Sequence, residues 1–160
     1  MKKYIFFDLG GTLIASRKSM DHALLYAFHK LHLNAQIPKN TASYLGPPPM
    51  DSLIDFWGFD RQTAKQVLDA GVEYYQEKGL YESHLYEGVR FMLKRLSEEG
   101  IHLFAVSSQM QPMVEKKLEY FQIISYFTDI GGANCDGTQS SKEDIIRTLM
   151  CRRGLAQKNA

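Results

Sequence analysis

Residues 4–13, Tyr-Ile-Phe-Phe-Asp-Leu-Gly-Gly-Thr-Leu, are the stretch of the chain that decides the fold. The four apolar residues 4–7 predict a short strand that is buried on both faces. This strand ends in the carboxylate of Asp8, and a glycine-rich turn follows at once. A buried charge is costly unless it is hydrogen-bonded, bound to a metal or used in chemistry. Because open α/β sheets bind ligands at the carboxyl ends of their strands, the position of Asp8 predicts a ligand site.

The bulk composition is typical of a globular protein that binds neither nucleic acid nor membranes. Of the 160 residues, 44% are hydrophobic and 23% are charged, and the net charge is +1 without any acidic or basic block. Lys2 and Lys3 precede too few apolar residues for a signal peptide, and no apolar run reaches membrane-spanning length. Cys135 and Cys151 match no metal or disulfide pattern, so the sequence predicts a reduced cytoplasmic protein.

The segment after the first strand has the pattern of consecutive helices. Apolar residues at helical spacing predict a helix over 19–33, with Ser19 as its N-cap. The proline-rich run at 45–49 prevents this helix from continuing. Asp60 then predicts the N-cap of a second long helix. We therefore expect residues 16–82 to form a helical unit.

From Tyr86 onward the pattern changes to alternating helices and strands. Two further strands are predicted at 101–106 and at 126–130, the second ending at a Gly-Gly pair. Ser140 and Glu143 have the spacing of a capping box for the last helix. This alternation predicts parallel strands covered by helices.

Together these patterns predict an α/β protein. Its Rossmann-like, three-layer core with a parallel sheet comprises residues 1–15 and 83–160, and residues 16–82 form an inserted α-helical cap. If the strands are parallel neighbours, Asp8 and Ser107 lie at the same edge of the sheet.

Four further residues could bind an anion. The Gly11 and Thr12 amides could form an anion-binding nest, and the Ser107 hydroxyl could donate to the same anion. Lys142 is placed in the first turn of its helix, where a cation opposes the helix dipole unless it faces a bound anion such as phosphate. Taken singly, these residues could equally be a turn, a strand-end hydroxyl and a solvated lysine. Asp8 itself could be a nucleophile or a metal ligand.

The order of these elements resembles the haloacid dehalogenase superfamily of phosphohydrolases. That superfamily has a hydrophobic strand followed by Asp-x-Asp-Gly-Thr-Leu, then a strand ending in Ser or Thr, then a Lys. Here the corresponding positions are 8–13, Ser107 and Lys142. The chain is most similar to the phosphoglycolate-phosphatase-like branch with a small helical cap. The segments that carry this similarity are Gly46-Pro47-Pro48, Tyr86-Glu87-Gly88-Val89, Cys135-Asp136-Gly137 and Ser141-Lys142.

The resemblance implies a reaction and a division of roles. Asp8 would attack phosphorus to form an aspartyl-phosphate, which water then hydrolyses. The phosphoryl oxygens would be held by the Gly11 and Thr12 amides and by Ser107, Ser108 and Lys142. The substrate would be a small phosphorylated metabolite.

The resemblance also implies a metal and a specificity region. Mg²⁺ would be held by Asp8 and by the carbonyl of Gly10, with weak binding expected because the chain supplies so few ligands. Cap residues would contact the leaving group, and the candidates are Arg17, Gly46 and Pro47.

Two departures from the family pattern shape the expectations for activity. Gly10 stands where the family has a second Asp as general acid and base, a group typically worth ~10²–10⁴-fold. No acidic fourth motif is found before Ala160, so the sheet is expected to be incomplete at its C-terminal side. We therefore expect inefficient turnover and a first strand with an open edge, covered by a homodimer or a partner. The alternative is a catalytically silent or truncated protein of the same fold that binds phosphate or a protein partner.

Overall fold

The architecture is described from a computed structural model, which covers residues 3–39, 47–134, 139 and 141–155. The chain divides into two units, one formed by Met1–Leu13 with Leu85–Ala160 and the other by Ile14–His84. No helix in the described ranges is both long and apolar enough to cross a membrane. Along the chain the strands and helices are β1 (Tyr4–Asp8), β2 (Ile14–Ala15), α1 (Arg17–Lys30), α2 (Pro49–Asp55), α3 (Arg61–Tyr74), β3 (His84–Leu85), α4 (Val89–Glu98), β4 (His102–Met110), α5 (Gln111–Tyr120), β5 (Asp129–Ala133) and α6 (Lys142–Arg152).

The first unit is built on a parallel sheet in the order β1-β4-β5. The pairing register places Asp8 beside Val106, and Val106 beside Gly131. The three strands therefore bring their carboxyl-terminal ends to one edge of the sheet. This arrangement confirms the predicted α/β fold with a parallel sheet.

Beyond Val106 the pairing of β4 with β5 is irregular, and it resumes at Met110 opposite Ala133. β4 runs through Ser107 and Ser108 to Met110, so the predicted end of the strand at these two serines was wrong. The third strand also differs from its predicted bounds. Residues Ile124–Tyr126 form a 3₁₀ turn, and the strand begins only at Asp129.

The Gly131-Gly132 pair lies inside β5, although a strand stop was predicted there. A Cβ at Gly131 would overlap Ile145 Cγ2 of α6 and lie 2.9 Å from Leu149 Cδ1 of the same helix. A Cβ at Gly132 would lie 2.7 Å from the Cα of Gln111, where α5 begins. Successive residues of a strand point to opposite faces. α6 and the start of α5 therefore pack on opposite faces of the sheet, and both approach too closely for a larger residue.

The core of the α6 face is apolar. Phe104 and Val106 of β4 pack with Ile145 and Leu149 of α6, and Phe6 of β1 lies at the margin of this cluster. β1 is less buried than predicted, since Tyr4 is 40% exposed and the rest of the strand is half-buried. The physical reason is that, within the described ranges, β1 pairs only with β4 and is an edge strand.

The second unit is helical apart from β2 and His84, the first residue of β3. β2 and β3 pair in a two-stranded sheet. Asp60 is the N-cap of α3, as predicted, and its carboxylate accepts from the backbone N–H groups of Gln62 and Thr63. Ser19, in contrast, is not a cap. α1 begins at Arg17 after Ser16, and the buried Ser19 hydroxyl donates to the carbonyl of Ser16 at 2.7 Å. The apolar core of this unit comprises Ala27, Phe28, Leu53, Ala64, Val67 and Ala70.

The cap of the last helix is one residue later than predicted. Ser141 is the N-cap of α6, and its hydroxyl accepts from the N–H of Asp144 at 3.2 Å and donates to the Asp144 carboxylate at 2.7 Å. Ser140 lies outside the described residues. The shift by one position makes Lys142 the first residue of α6.

Candidate active site

The central feature of the site is an ion pair between Asp8 and Lys142. Asp8 is the last residue of β1, and its Oδ2 lies 3.0 Å from the Nζ of Lys142 at the start of α6. The two side chains are 30% and 40% exposed, respectively, so a ligand can reach both. A lysine in the first helical turn opposes the helix dipole, and the negative charge of Asp8 compensates for that position. The structure thus brings together two residues that the sequence nominated separately.

Ser107 follows directly on the residue that pairs with Asp8. Its side chain is 5% exposed, and its Oγ accepts from the backbone N–H of Gln109 at 3.2 Å. Since the hydroxyl hydrogen of a serine can still donate when its oxygen accepts, this geometry leaves a donor for an anion. Ser108, the other predicted phosphate ligand on β4, is half-buried.

The turn after Asp8 is formed by backbone hydrogen bonds to Leu9. Gly11 has a φ of +81°, a conformation that favours glycine, and it bends the chain back. The N–H groups of Thr12 and Leu13 donate to the carbonyl of Leu9 at 3.3 and 3.0 Å. The Thr12 amide, predicted to face an anion, therefore closes the turn in this structure. Leu9 is fully buried and anchors the turn.

Lys117 is a feature of this unit that the sequence reasoning missed. It lies on α5, is fully buried, and donates from its Nζ to Gln109 Oε1 at 2.8 Å. Burial lowers the pKa of Lys117 to about 8, while the nearby charge of Asp8 acts to raise it. The signal was present in the sequence, because Lys117 falls on the same helical stripe as the apolar Val114 and Leu118.

The metal prediction can be compared with the side chains near Asp8. In residues 3–39, 47–134, 139 and 141–155, no group of three or more His, Cys, Asp or Glu side chains is arranged to hold a metal ion. The Asp8 carboxylate and the Gly10 carbonyl remain the donors predicted from the sequence.

The predicted cap contacts belong to the second unit or lie outside the described residues. Arg17, the first residue of α1, donates to the carbonyl of Lys39 at 3.3 Å and lies 3.7 Å from the Asp21 carboxylate. Pro47 is exposed just before α2. Gly46 and the Cys135-Asp136-Gly137 segment lie outside the described residues.

Comparison with known proteins establishes the family. The model for haloacid dehalogenase-like hydrolases matches residues 5–160, so the chain belongs to that family, as predicted. A crystal structure described as a predicted phosphatase from Clostridium acetobutylicum superposes with a TM-score of 0.89 at 30% sequence identity. The match covers 96% of this chain and 71% of that one.

The curated relatives include proteins with different described activities. The chain is 28% identical over 155 residues to a 5'-nucleotidase of Pseudomonas aeruginosa, covering 97% of this chain and 70% of the relative. It is 26% identical over 148 residues to a phosphoglycolate phosphatase of Aquifex aeolicus, covering 92% and 68%. A tyrosine-protein kinase of Mycobacterium tuberculosis is 28% identical over 143 residues, and this chain spans about half its length, 48%. The phosphatases among these relatives support a chain of the phosphoglycolate-phosphatase-like type.

Proposed function

We propose that the chain hydrolyses a small phosphomonoester through a covalent aspartyl-phosphate on Asp8. The observation that carries this proposal is the 3.0 Å pair of the Asp8 carboxylate and the Lys142 ammonium at the carboxyl edge of a parallel sheet. A nucleophile beside a fixed cation suits a reaction in which negative charge must approach negative charge. The nucleotidase and phosphoglycolate phosphatase relatives support the substrate class.

In this reaction the carboxylate of Asp8 attacks phosphorus, and the ester P–O bond breaks with departure of the alcohol. Water then attacks the acyl phosphate, which releases inorganic phosphate and restores the Asp8 carboxylate. Lys142 and the hydroxyl of Ser107 would hold the phosphoryl oxygens during both steps. Each of these donors would stabilise the negative charge on the phosphoryl oxygens in the transition state.

Gly10 determines which substrates are favoured. It is an exposed residue two positions after Asp8, and it has no side chain that could protonate a leaving alkoxide. The leaving group must therefore take its proton from water or depart as a stable anion. We expect acyl phosphates and aryl phosphates to react faster than alkyl phosphates, because their leaving groups need no protonation.

The two protein ligands predicted for Mg²⁺ would fill only part of its coordination shell. Mg²⁺ binds through one or two carboxylates, and waters and substrate phosphate oxygens complete its shell. Asp8 and the Gly10 carbonyl would supply the protein ligands, and the remaining positions would be filled by phosphate and water. When bound, the metal would neutralise charge on the phosphate.

The experiment that tests this proposal is hydrolysis of p-nitrophenyl phosphate with and without Mg²⁺. Asp8→Asn is the inactive reference, and Glu98→Gln on the exposed face of α4 is a matched control for loss of a carboxylate. We expect activity in the wild type and in Glu98→Gln, and none in Asp8→Asn. Equal rates in the wild type and Asp8→Asn would reject the proposed mechanism.

A further inference from the structure

A buried lysine distinguishes this site. Among the residues that the structure describes, Lys117 is the only charged residue that is buried, and its burial is complete. It occupies the buried stripe of α5 with Val114 and Leu118, where an apolar side chain would pack without cost. A buried ammonium is retained against a desolvation cost only if it is compensated by partners or used in function.

The contacts of Lys117 lead to the phosphate site. Its Nζ donates to the side-chain oxygen of Gln109, and the backbone N–H of Gln109 donates in turn to the hydroxyl of Ser107. Gln109 and Ser107 lie on the same strand, in the segment where the pairing of β4 with β5 is irregular. The irregular segment thus places Gln109 between the buried ammonium and a predicted phosphate ligand.

The charge of Asp8 acts to raise the pKa of Lys117, against the larger effect of burial. Lys142 reaches Asp8 from α6, and Lys117 belongs to α5, whose start packs on the opposite face of the sheet. Two lysines on different helices therefore both interact with the charge of Asp8. Lys142 is partly exposed, whereas Lys117 is fully buried.

We propose that Lys117 is a positioning residue that gives the phosphate site a second positive charge at neutral pH. This inference rests on the function proposed above. A phosphate dianion that binds beside the Asp8 carboxylate meets a like charge, and the single positive charge of Lys142 cannot neutralise both anions. Lys117 offsets the charge of Asp8 from inside the protein, so that Lys142 is released to the phosphate. Because the interior has a low effective dielectric, a fixed charge there acts more strongly than one in water.

The test measures binding of inorganic phosphate, the product, by calorimetry at pH 7. Two neutral variants remove the charge in different ways: Lys117→Met keeps an apolar stem, and Lys117→Gln keeps a polar end that can contact Gln109. Lys116→Met is the matched control, since Lys116 is the exposed neighbour on the same helix. We expect the phosphate Kd to rise about tenfold or more in both neutral variants. Lys116→Met should stay within about twofold, as is usual for an exposed charge.

Unfolding by urea separates this role from a structural one. Replacing a buried charge by an apolar residue is often neutral or stabilising, so Lys117→Met should fold with an undiminished midpoint while its phosphate affinity falls. Lys117→Arg, which keeps the charge, should retain more affinity than either neutral variant. If one neutral variant does not fold, the other decides the result.

The outcomes distinguish this inference from the function on which it rests. A wild-type protein that binds no phosphate overturns both. A wild-type protein that binds phosphate, with unchanged affinity in a folded neutral variant, overturns the role of Lys117 alone and leaves Asp8 and Lys142 in place. Weaker binding in Lys117→Met or Lys117→Gln, with Lys116→Met unchanged, supports it.

Discussion

The Nζ of Lys142 lies 3.0 Å from the Oδ2 of Asp8, and this ion pair joins the first strand of the chain to its last described helix. Both groups are about one-third exposed, so the pair is screened by water and contributes little to folding stability. The pair lies at the carboxyl edge of the sheet, where Ser107 also lies, so its importance is for ligand binding. An anion that enters the site could replace Asp8 as the partner of Lys142.

The first prediction concerns Lys142. Replacing it by Ala should lower kcat/KM for p-nitrophenyl phosphate by about 10²–10³-fold, the usual cost of losing a donor to developing charge. Lys142→Arg should retain part of the activity because it keeps the charge. Steady-state kinetics give the comparison, and the control is Arg147→Ala, a loss of positive charge at an exposed position of the same helix. Equal kinetics in Lys142→Ala and Arg147→Ala would remove Lys142 from the site.

The second prediction concerns Gly10. Gly10→Asp introduces an acid where the family has one, and it should raise turnover of an alkyl phosphate by a factor within the ~10²–10⁴ range of general acid–base catalysis. The gain should be much smaller for an aryl phosphate, whose leaving group needs no proton. Gly10→Asn is the matched control, since it has nearly the same shape and no titratable proton. An equal effect of Asp and Asn would show that the change is steric.

Several elements were predictable from the sequence because local patterns determine them. An apolar run that ends in a carboxylate, an Asp60 cap and a lysine at the start of a helix are all signals within a few residues. The motif order then indicated the α/β fold and the family, which the comparisons confirm. The parallel order of the strands placed Asp8 and Ser107 at one edge, whereas Lys142 was nominated separately, from its position in the first turn of a helix.

The remaining features depend on packing between distant segments. Gly131 and Gly132 have the local signature of a turn, yet they belong to a strand because two helices press against its opposite faces. The apolar residues of β1 predicted full burial, but pairing on one side leaves them half-buried. Lysine is usually a surface residue. Only the spacing of Lys117 from the apolar Val114 and Leu118 on the same helix indicates that it points inward.

The third prediction tests the close packing around β5. Gly132→Ala should destabilise the protein by about 1–3 kcal/mol, the range for overpacking, since its Cβ would meet backbone atoms of Gln109 and Gln111 that cannot move independently. Gly131→Ala should cost less, because it meets the side chains of Ile145 and Leu149. Urea unfolding of both variants gives the comparison. A larger loss in Gly131→Ala would mean that the α6 side is the more rigid of the two.

The last prediction uses the buried ammonium of Lys117. Burial lowers its pKa to about 8 from an ordinary value of 10.5, so between these two pH values the unfolded chain binds a proton that the folded protein does not. The free energy of unfolding must then rise with pH in this window. At 1.36 kcal/mol per pKa unit, the total gain between pH 8 and 10.5 should be about 3 kcal/mol.

Lys117→Met provides the reference for this measurement, because every other titrating group is common to both proteins. Urea unfolding at several pH values from 7 to 10.5 should show the wild type gaining stability relative to Lys117→Met as the pH rises. Below pH 8 the difference should be constant, since Lys117 is protonated in both the folded and unfolded states. A constant difference across the whole range would show that the lysine titrates normally and is hydrated in solution. The positioning role assigned to its buried charge would then lose its physical basis.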